Sequence, residues 1–122
     1  MKVIIYSKND KTPERLMTAL NSVIAEEKAE RFNSIYSFAR RANEFIEKTV
    51  IFILMPATKD ELFTMNSIYE LSCNANPIIL ILPDREKETV NMGFKLNPRF
   101  VDYADSNFMG LKAVVNKMIN NK

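Results

Sequence analysis

The chain has 122 residues, 47% of them hydrophobic and 26% charged, which is enough to bury the core of one domain without disulfides. Its 17 basic and 15 acidic residues leave a net charge of only +2, without the basic stripe that is typical of nucleic-acid binders. Histidine is absent, cysteine occurs once and glycine twice, which excludes a histidine base, a multi-cysteine metal site and, in practice, a glycine-rich phosphate loop.

The chain begins with a predicted strand over residues 2–7, KVIIYS, whose nearly continuous apolar run is typical of strands buried on both faces of a sheet. Threonine, proline and glutamate at 12–14 then mark the start of a helix that we expect to cover 13–25. A short strand near 29–33 comes next. It is followed by a second helix over 34–47, which carries one continuous apolar stripe.

Two longer apolar runs in the middle of the chain predict further buried strands. They are TVIFILM at 49–55 and PIILIL at 77–82, and the segment between them predicts a third helix over 59–72. Asp84 follows the second run, and we expect it to cap a short fourth helix that ends near Gly93.

The final predicted pair is a strand over 99–102, RFVD, and a helix that Asp105 or Ser106 is expected to cap. Strands that alternate with amphipathic helices in this way form a parallel sheet covered on both faces. Right-handed crossovers leave few topologies, and the flavodoxin-like strand order 2-1-3-4-5 is the commonest for five strands. We therefore predict one α/β domain over 1–122, a three-layer sandwich with parallel strands starting near residues 2, 29, 50, 77 and 100.

This architecture resembles the receiver domain of bacterial response regulators over the whole chain. Met55-Pro56 resembles the methionine and proline that often follow the receiver phosphorylation site, and PIILIL resembles the fourth receiver strand. The chain is also similar to a group of stand-alone receiver-like proteins that carry LPD, a short helix and then PRF, here at 82–84 and 98–100. The resemblance to that group implies a fold and no activity.

The positions that carry receiver chemistry hold other residue types here. The family places two Mg²⁺-binding acids after the first strand, whereas this chain has one late acid, Asp10. The phosphorylated aspartate, a hydroxyl residue and a lysine should end the third, fourth and fifth strands. Met55, Leu82 and Tyr103 stand at those ends. We therefore predict a receiver shape that lacks Mg²⁺-dependent aspartyl phosphorylation.

Two other chemistries stay open at this point. Cys73 would be a nucleophile if the chain resembled the sugar-phosphotransferase IIB domains, but their cysteine directly follows the first strand, and a lone cysteine is more often a packing residue. The polar segment 7–12 opens a helix N-terminus, which favours the phosphate of a nucleotide or flavin. Because it lacks glycine and Pro13 removes one donor, an ordinary capped turn is the favoured interpretation.

Polar residues near the predicted strand ends form the candidate face for a ligand or partner. They are Asn9, Asp10, Asp84, Arg99 and Tyr103. Asp102 and Asp105 lie beside this set in the sequence, and helix capping together with a local ion pair is the simpler explanation of the acids.

No nucleophile, base and ligand set can be assembled from these residues, so we expect no enzyme activity, no cofactor and no metal. The favoured function is a phosphorylation-independent, receiver-like signalling or protein-interaction module that binds a protein partner and neither nucleic acid nor membrane. Receiver-like domains often pair through the fourth helix, fifth strand and fifth helix, which implies a homodimer anchored by Val90 and Phe94. The alternative is a small-ligand or nucleotide-binding domain that uses the crevice at the strand carboxyl ends.

The first apolar run, residues 3–6, is too short for a signal peptide or a membrane span. The expected location is therefore the cytoplasm.

Overall fold

Five strands and five helices alternate along the chain in a computed structural model that describes residues 2–8, 11–25, 28–44, 50–72 and 76–120. The elements are β1 Lys2–Ser7, α1 Lys11–Leu20, β2 Ala29–Phe32, α2 Ile35–Asn43, β3 Val50–Met55, α3 Lys59–Ser72, β4 Ile78–Leu82, α4 Lys87–Phe94, β5 Phe100–Tyr103 and α5 Met109–Asn120. All neighbouring strands are parallel, in the order β2-β1-β3-β4-β5. The predicted fold class and strand order are confirmed.

The boundaries differ from the prediction mainly at the ends of helices. Helix α1 stops at Leu20, five residues before the predicted end, and a turn follows in which the amides of Val23 and Ile24 both donate to the carbonyl oxygen of Leu20. Helix α2 begins after Ser34, whose hydroxyl accepts a hydrogen bond from the amide of Ser37. The predicted last turn of α2, 45–47, lies outside the described residues.

The sheet separates two cores. Toward α1 and α5, alternate strand residues such as Ile5 and Ile53 pack against Leu16 and Leu111. Toward α2, α3 and α4, the intervening residues pack against Phe38, Leu62 and Met65. The side chains of β1, β3 and β4 therefore alternate between two buried layers, which explains why their sequences are almost entirely apolar.

Helix α2 is held on its layer by an aromatic group around Phe38. The Phe38 ring lies 5.6 Å from the centroid of Tyr6 on β1, 6.4 Å from that of Phe32 on β2 and 5.8 Å from that of Phe52 on β3. Tilted and edge-on pairs at these distances add to the burial energy of each ring. One side chain thus ties α2 to three neighbouring strands.

Helix α4 approaches β4 closely at Gly93. A Cβ atom added there would lie 2.8 Å from a Leu80 methyl group and 3.0 Å from a Leu82 methyl group. Gly93 is buried, so the absence of a side chain lets the helix axis come near the sheet. The other glycine, Gly110 on α5, is exposed, and an added Cβ would meet only the Phe100 ring at 3.4 Å.

An ion-pair network covers the side of edge strand β2 that faces α2. The Glu30 carboxylate accepts hydrogen bonds from the Arg41 guanidinium at 2.9 and 3.1 Å and pairs with the Lys2 ammonium at 2.8 Å. These hydrogen bonds, with that from Arg41 the larger influence, lower the pKa of Glu30 from 4.5 to about 2.

We predict that Gly93→Ala lowers the free energy of unfolding by about 1–3 kcal/mol, because the new methyl group overpacks against two leucines. Gly110→Ala is the matched control and should raise it by about 0.5 kcal/mol, since alanine is the better helix former. Urea denaturation measures both variants. A Gly93→Ala protein as stable as the wild type would show that α4 is free to move outward.

A second prediction concerns acid. Because the folded-state pKa of Glu30 is depressed, its contribution is fully present above about pH 5 and is lost as the pH falls from about 4.5 toward 2. Glu30→Gln should therefore cost about 1–2 kcal/mol at pH 7, with the difference from wild type shrinking steadily below pH 4.5. Denaturant midpoints at several pH values provide the comparison. A difference that stays constant with pH would contradict the role of the carboxylate charge.

Candidate functional site at the carboxyl ends of the strands

Apolar side chains fill the strand ends where a receiver carries its chemistry. Met55 ends β3 opposite Ser7 of β1, and Leu82 ends β4 opposite Tyr103 of β5. Met55 is 4% exposed and Leu82 1% exposed, and Pro56 is buried as well. The residues expected at these three strand ends from the sequence are therefore the ones found there.

The turn after β3 is fixed by a variant of the capping box, in which Glu61 bonds to the amide before the N-cap residue Thr58, and the sequence analysis did not use it. The Thr58 hydroxyl accepts a hydrogen bond from the amide of Glu61 at 3.2 Å, and the Glu61 carboxylate accepts one from the amide of Ala57 at 3.3 Å. The spacing T-x-x-E at 58–61 is the signal that predicts it. Glu61 also accepts a hydrogen bond from the buried Tyr6 hydroxyl, and burial together with this carboxylate raises the pKa of Tyr6.

An arginine that the sequence analysis also missed lies over the end of β5. The Arg85 guanidinium is 4.2 Å from the centre of the Tyr103 ring, and it donates to both oxygens of Asp105 at 2.8 and 2.9 Å. The pairing raises the pKa of Arg85 and lowers the pKa of Asp105. Both groups are exposed, so solvent weakens this contact and its main effect is to orient Tyr103 and the following loop.

A second arginine holds the same loop from α1. The Arg15 guanidinium donates to the carbonyl oxygens of Ala104 and Ser106 and lies 5.1 Å from the centre of the Phe108 ring. Phe108 has φ of 62°, a left-handed conformation that bulky residues rarely adopt. It is kept there because its ring is 1% exposed and its amide donates to the Ser106 hydroxyl at 3.0 Å.

The helix caps predicted at Asp84 and Asp105 are wrong, whereas Ser106, the predicted alternative to Asp105, does bond at the start of α5. Asp84 accepts a hydrogen bond from the amide of Glu86, two residues on, which makes a turn before α4. Glu86 stands at the N-cap position without a side-chain bond. Asp105 is engaged by Arg85 instead of by α5. The hydroxyl of Ser106 and the side-chain oxygen of Asn107 bond to the amides of Phe108 and Met109 at the start of that helix.

The five candidate face residues do not all lie together. Asn9 and Asp10 fall outside the described residues, as does Cys73. Arg99 precedes β5, where its amide donates to the carbonyl oxygen of Ile78, and Tyr103 ends the same strand. The rise over the four residues between them is roughly 13 Å. Arg99 therefore lies at the amino end of β5, whereas Tyr103 and Asp84 lie at the carboxyl ends of the strands.

One buried hydroxyl in the first turn of α4 has no hydrogen-bond partner within the described part of the chain. Thr89 is 0% exposed and its Oγ1 makes no such bond. A buried hydroxyl without a partner destabilises the fold, and nothing in the sequence pattern distinguishes this threonine from a surface one.

An open groove of about 490 Å³ lies between α1 and β2, away from the crevice at the strand carboxyl ends. Among the described residues it is lined by Glu14, Met17, Thr18, Ala29 and Arg31. Within the same part of the chain, no three His, Cys, Asp or Glu side chains come together as a metal site. No helix there is long and apolar enough to cross a membrane.

We predict that Thr89→Val raises the free energy of unfolding by about 1 kcal/mol, because a methyl group of similar size replaces a buried hydroxyl that has no partner among the described residues. Thr64→Val on α3 is the control. Its exposed hydroxyl donates to the carbonyl oxygen of Asp60, and the change should stay within about 0.5 kcal/mol. Thermal and urea denaturation test both. Destabilisation by Thr89→Val beyond the control would mean that the hydroxyl has a partner.

Comparison with known proteins finds the fold in solved structures only. No protein-family model and no curated protein matches the chain. A crystal structure named as a pilus assembly protein, CpaE, from Burkholderia thailandensis superposes with a TM-score of 0.71 over 99% of both chains at 11% identity. A pilus assembly-related protein from Burkholderia pseudomallei gives 0.69 over 97% of this chain and 88% of the other at 13% identity. The chain thus has the flavodoxin-like, receiver-like α/β fold that these proteins share.

Proposed function

We propose that this chain is a non-catalytic, phosphorylation-independent receiver-like domain that acts through contacts with other proteins. The observation that supports this most directly is which residues stand at the carboxyl ends of β3, β4 and β5. Met55 and Leu82 are buried and apolar, and Tyr103 lies under the Arg85 guanidinium. These are the positions from which receivers act on a phosphoryl group.

Each of these residues lacks a group that phosphoryl transfer in a receiver requires. A thioether at Met55 offers no oxygen for attack on phosphorus, and Leu82 donates no hydrogen bond to a phosphoryl oxygen. Glu61, the carboxylate beside the β3–α3 turn, is already hydrogen-bonded to the Ala57 amide and the Tyr6 hydroxyl. The same apolar filling argues against the rival function, a nucleotide or small ligand in this crevice, because such a ligand needs polar partners there.

The biological role that fits this arrangement is signalling or assembly by binding. Two structural neighbours are named for pilus assembly, and we extend an assembly-related or signalling role to this chain. In this proposal the domain works in the cytoplasm and carries no activity of its own.

The α4–β5 side offers a surface for a second copy of the chain. Phe94 is 60% exposed, Val90 and Val101 are partly buried, and β5 is an edge strand. Its charges are polarised along the strand. At the carboxyl end, acids outnumber the two basic residues Arg85 and Lys87; the acids are Asp84, Glu86, Asp102 and Asp105. At the amino end the charged residues are the basic Lys95 and Arg99. An antiparallel pair related by a twofold axis would place each acidic end against a basic end.

We predict that acetyl phosphate with Mg²⁺ adds no phosphoryl mass to the protein. We also predict that beryllofluoride with Mg²⁺ leaves the amide signals near Met55, Leu82 and Tyr103 unchanged. Intact-mass spectrometry and amide NMR spectra measure the two, with a phosphorylatable receiver in the same buffer as the positive control. A mass gain of one phosphoryl group, or saturable shifts at those residues, would refute the proposal and direct mutation to Asp10 and Asp84.

For self-association we expect a dimer at high micromolar concentration that weakens with salt. Glu86→Lys alone and Arg99→Glu alone should each favour the monomer, because each brings like charges together twice, whereas an equimolar mixture of the two variants should dimerise again. Light scattering and sedimentation give the mass. A wild-type monomer at high micromolar concentration, or a mixture that stays monomeric, counts against this surface.

A further inference from the structure

The sheet ends at β2, a short strand whose outer edge pairs with no strand among the described residues. β2 pairs with β1 and with no other strand of the described structure, so the outward-pointing amides and carbonyls of Ala29–Phe32 have no strand partner there. Such an edge is a template for an additional strand. The opposite edge, β5, is bordered by the Arg85–Asp105 pair and by Phe94.

The groove of about 490 Å³ runs along this edge on the α1 side. Its strand wall consists of Ala29 and Arg31, which point toward α1 because they pair in register with Val3 and Ile5 of the α1-facing layer. Ala29 is small, and together with the partly buried Met17 it forms an apolar hollow within a groove whose other described lining residues are polar. The groove therefore offers both backbone groups and a place for a side chain.

The charge on the strand wall is the guanidinium of Arg31, which has no ion-pair partner among the described residues. The Glu30 carboxylate is paired with Arg41 and Lys2 on the other face of the strand. Arg31 is exposed and makes no ion pair within the described residues. Directly opposed side chains of neighbouring strands are the closest cross-strand contacts, so Arg31 favours an acid on an incoming strand. Glu14 lines the helix wall of the same groove, and the position beside Arg31 on the sheet edge is the one that an incoming strand occupies.

We propose that β2 binds an extended segment of a partner protein as a sixth strand. One apolar side chain of that segment fills the hollow over Ala29 and Met17, and an acidic side chain lies beside Arg31. Backbone hydrogen bonds along Ala29–Phe32 supply the part of the affinity that does not depend on sequence.

A second copy of this chain is a poor occupant of the same edge. Two antiparallel β2 strands related by a twofold axis must place residues of the same face opposite one another. The central pair is then Glu30 against Glu30 or Arg31 against Arg31, and like charges directly opposite are unfavourable. A segment of different sequence avoids this conflict.

This inference rests on the proposed function as an interaction module, but it concerns a different surface. Phosphorylation at the strand ends would overturn the proposed function and leave the β2 edge unaffected. Failure at β2 would leave the phosphorylation result unchanged.

The experiment selects ten-residue peptides from a random display library against the whole protein and titrates the enriched peptides into ¹⁵N-labelled protein. We expect peptides with alternating apolar and acidic residues that shift the amide signals of Lys28–Phe32 and slow their hydrogen exchange. Arg31→Glu, an exposed change that should not affect folding, is expected to weaken binding at least ~10-fold. The matched control is Arg40→Glu on the exposed side of α2, which should change affinity less than ~2-fold.

Four results would overturn the proposal. The first two are that no peptide is enriched, or that the amide shifts are confined to elements other than β2. The others are that Arg31→Glu and Arg40→Glu change the affinity equally, or that free glutamate or phosphate causes saturable shifts of the groove residues that match those of the peptides. The last would assign the groove to a small anion. Ala29→Leu provides an independent check, because a side chain that fills the hollow should reduce peptide binding while Arg31 remains.

Discussion

Strand β3 lies between β1 and β4, and all six of its residues are buried. A strand covered by helices on both faces and by strands on both sides gains most when it is apolar from end to end. Here the apolar run includes Met55 and continues into Pro56. The two core layers and the packing of α2, α3 and α4 depend on this strand, and the same requirement leaves its carboxyl end without a reactive group.

The helices pack against the central strands through different contacts. Phe38 joins α2 to three strands by ring contacts, whereas α4 reaches β4 through the missing side chain of Gly93. Close approach at Gly93 also encloses Thr89 one turn earlier, which leaves its hydroxyl without a partner among the described residues. The tight packing of α4 and the lack of a partner for the Thr89 hydroxyl among the described residues thus both result from the short distance between α4 and β4.

The fold was predictable because strong signals agreed: three apolar runs, two amphipathic helices and short connections leave one common topology. The site was only partly predictable. Met55, Leu82 and Tyr103 follow from position in a strand, but the Arg85–Tyr103 contact and the Arg15 bonds to Ala104 and Ser106 join residues far apart in sequence. The caps expected at Asp84 and Asp105 failed for two different reasons. Asp84 accepts a hydrogen bond from the amide of Glu86, only two residues on, whereas Asp105 pairs with the guanidinium of Arg85, 20 residues earlier.

The register of β1 has a consequence for how the chain is made. Val3 pairs with Ala29, 26 residues later, and with Ile51, 48 residues later. During synthesis at roughly 5–20 residues per second, one edge of KVIIYS waits a few seconds longer than the other for its partner strand. Through that interval a strand-forming stretch whose single charge is Lys2 is exposed on a nascent polypeptide, where it is open to pairing with other chains.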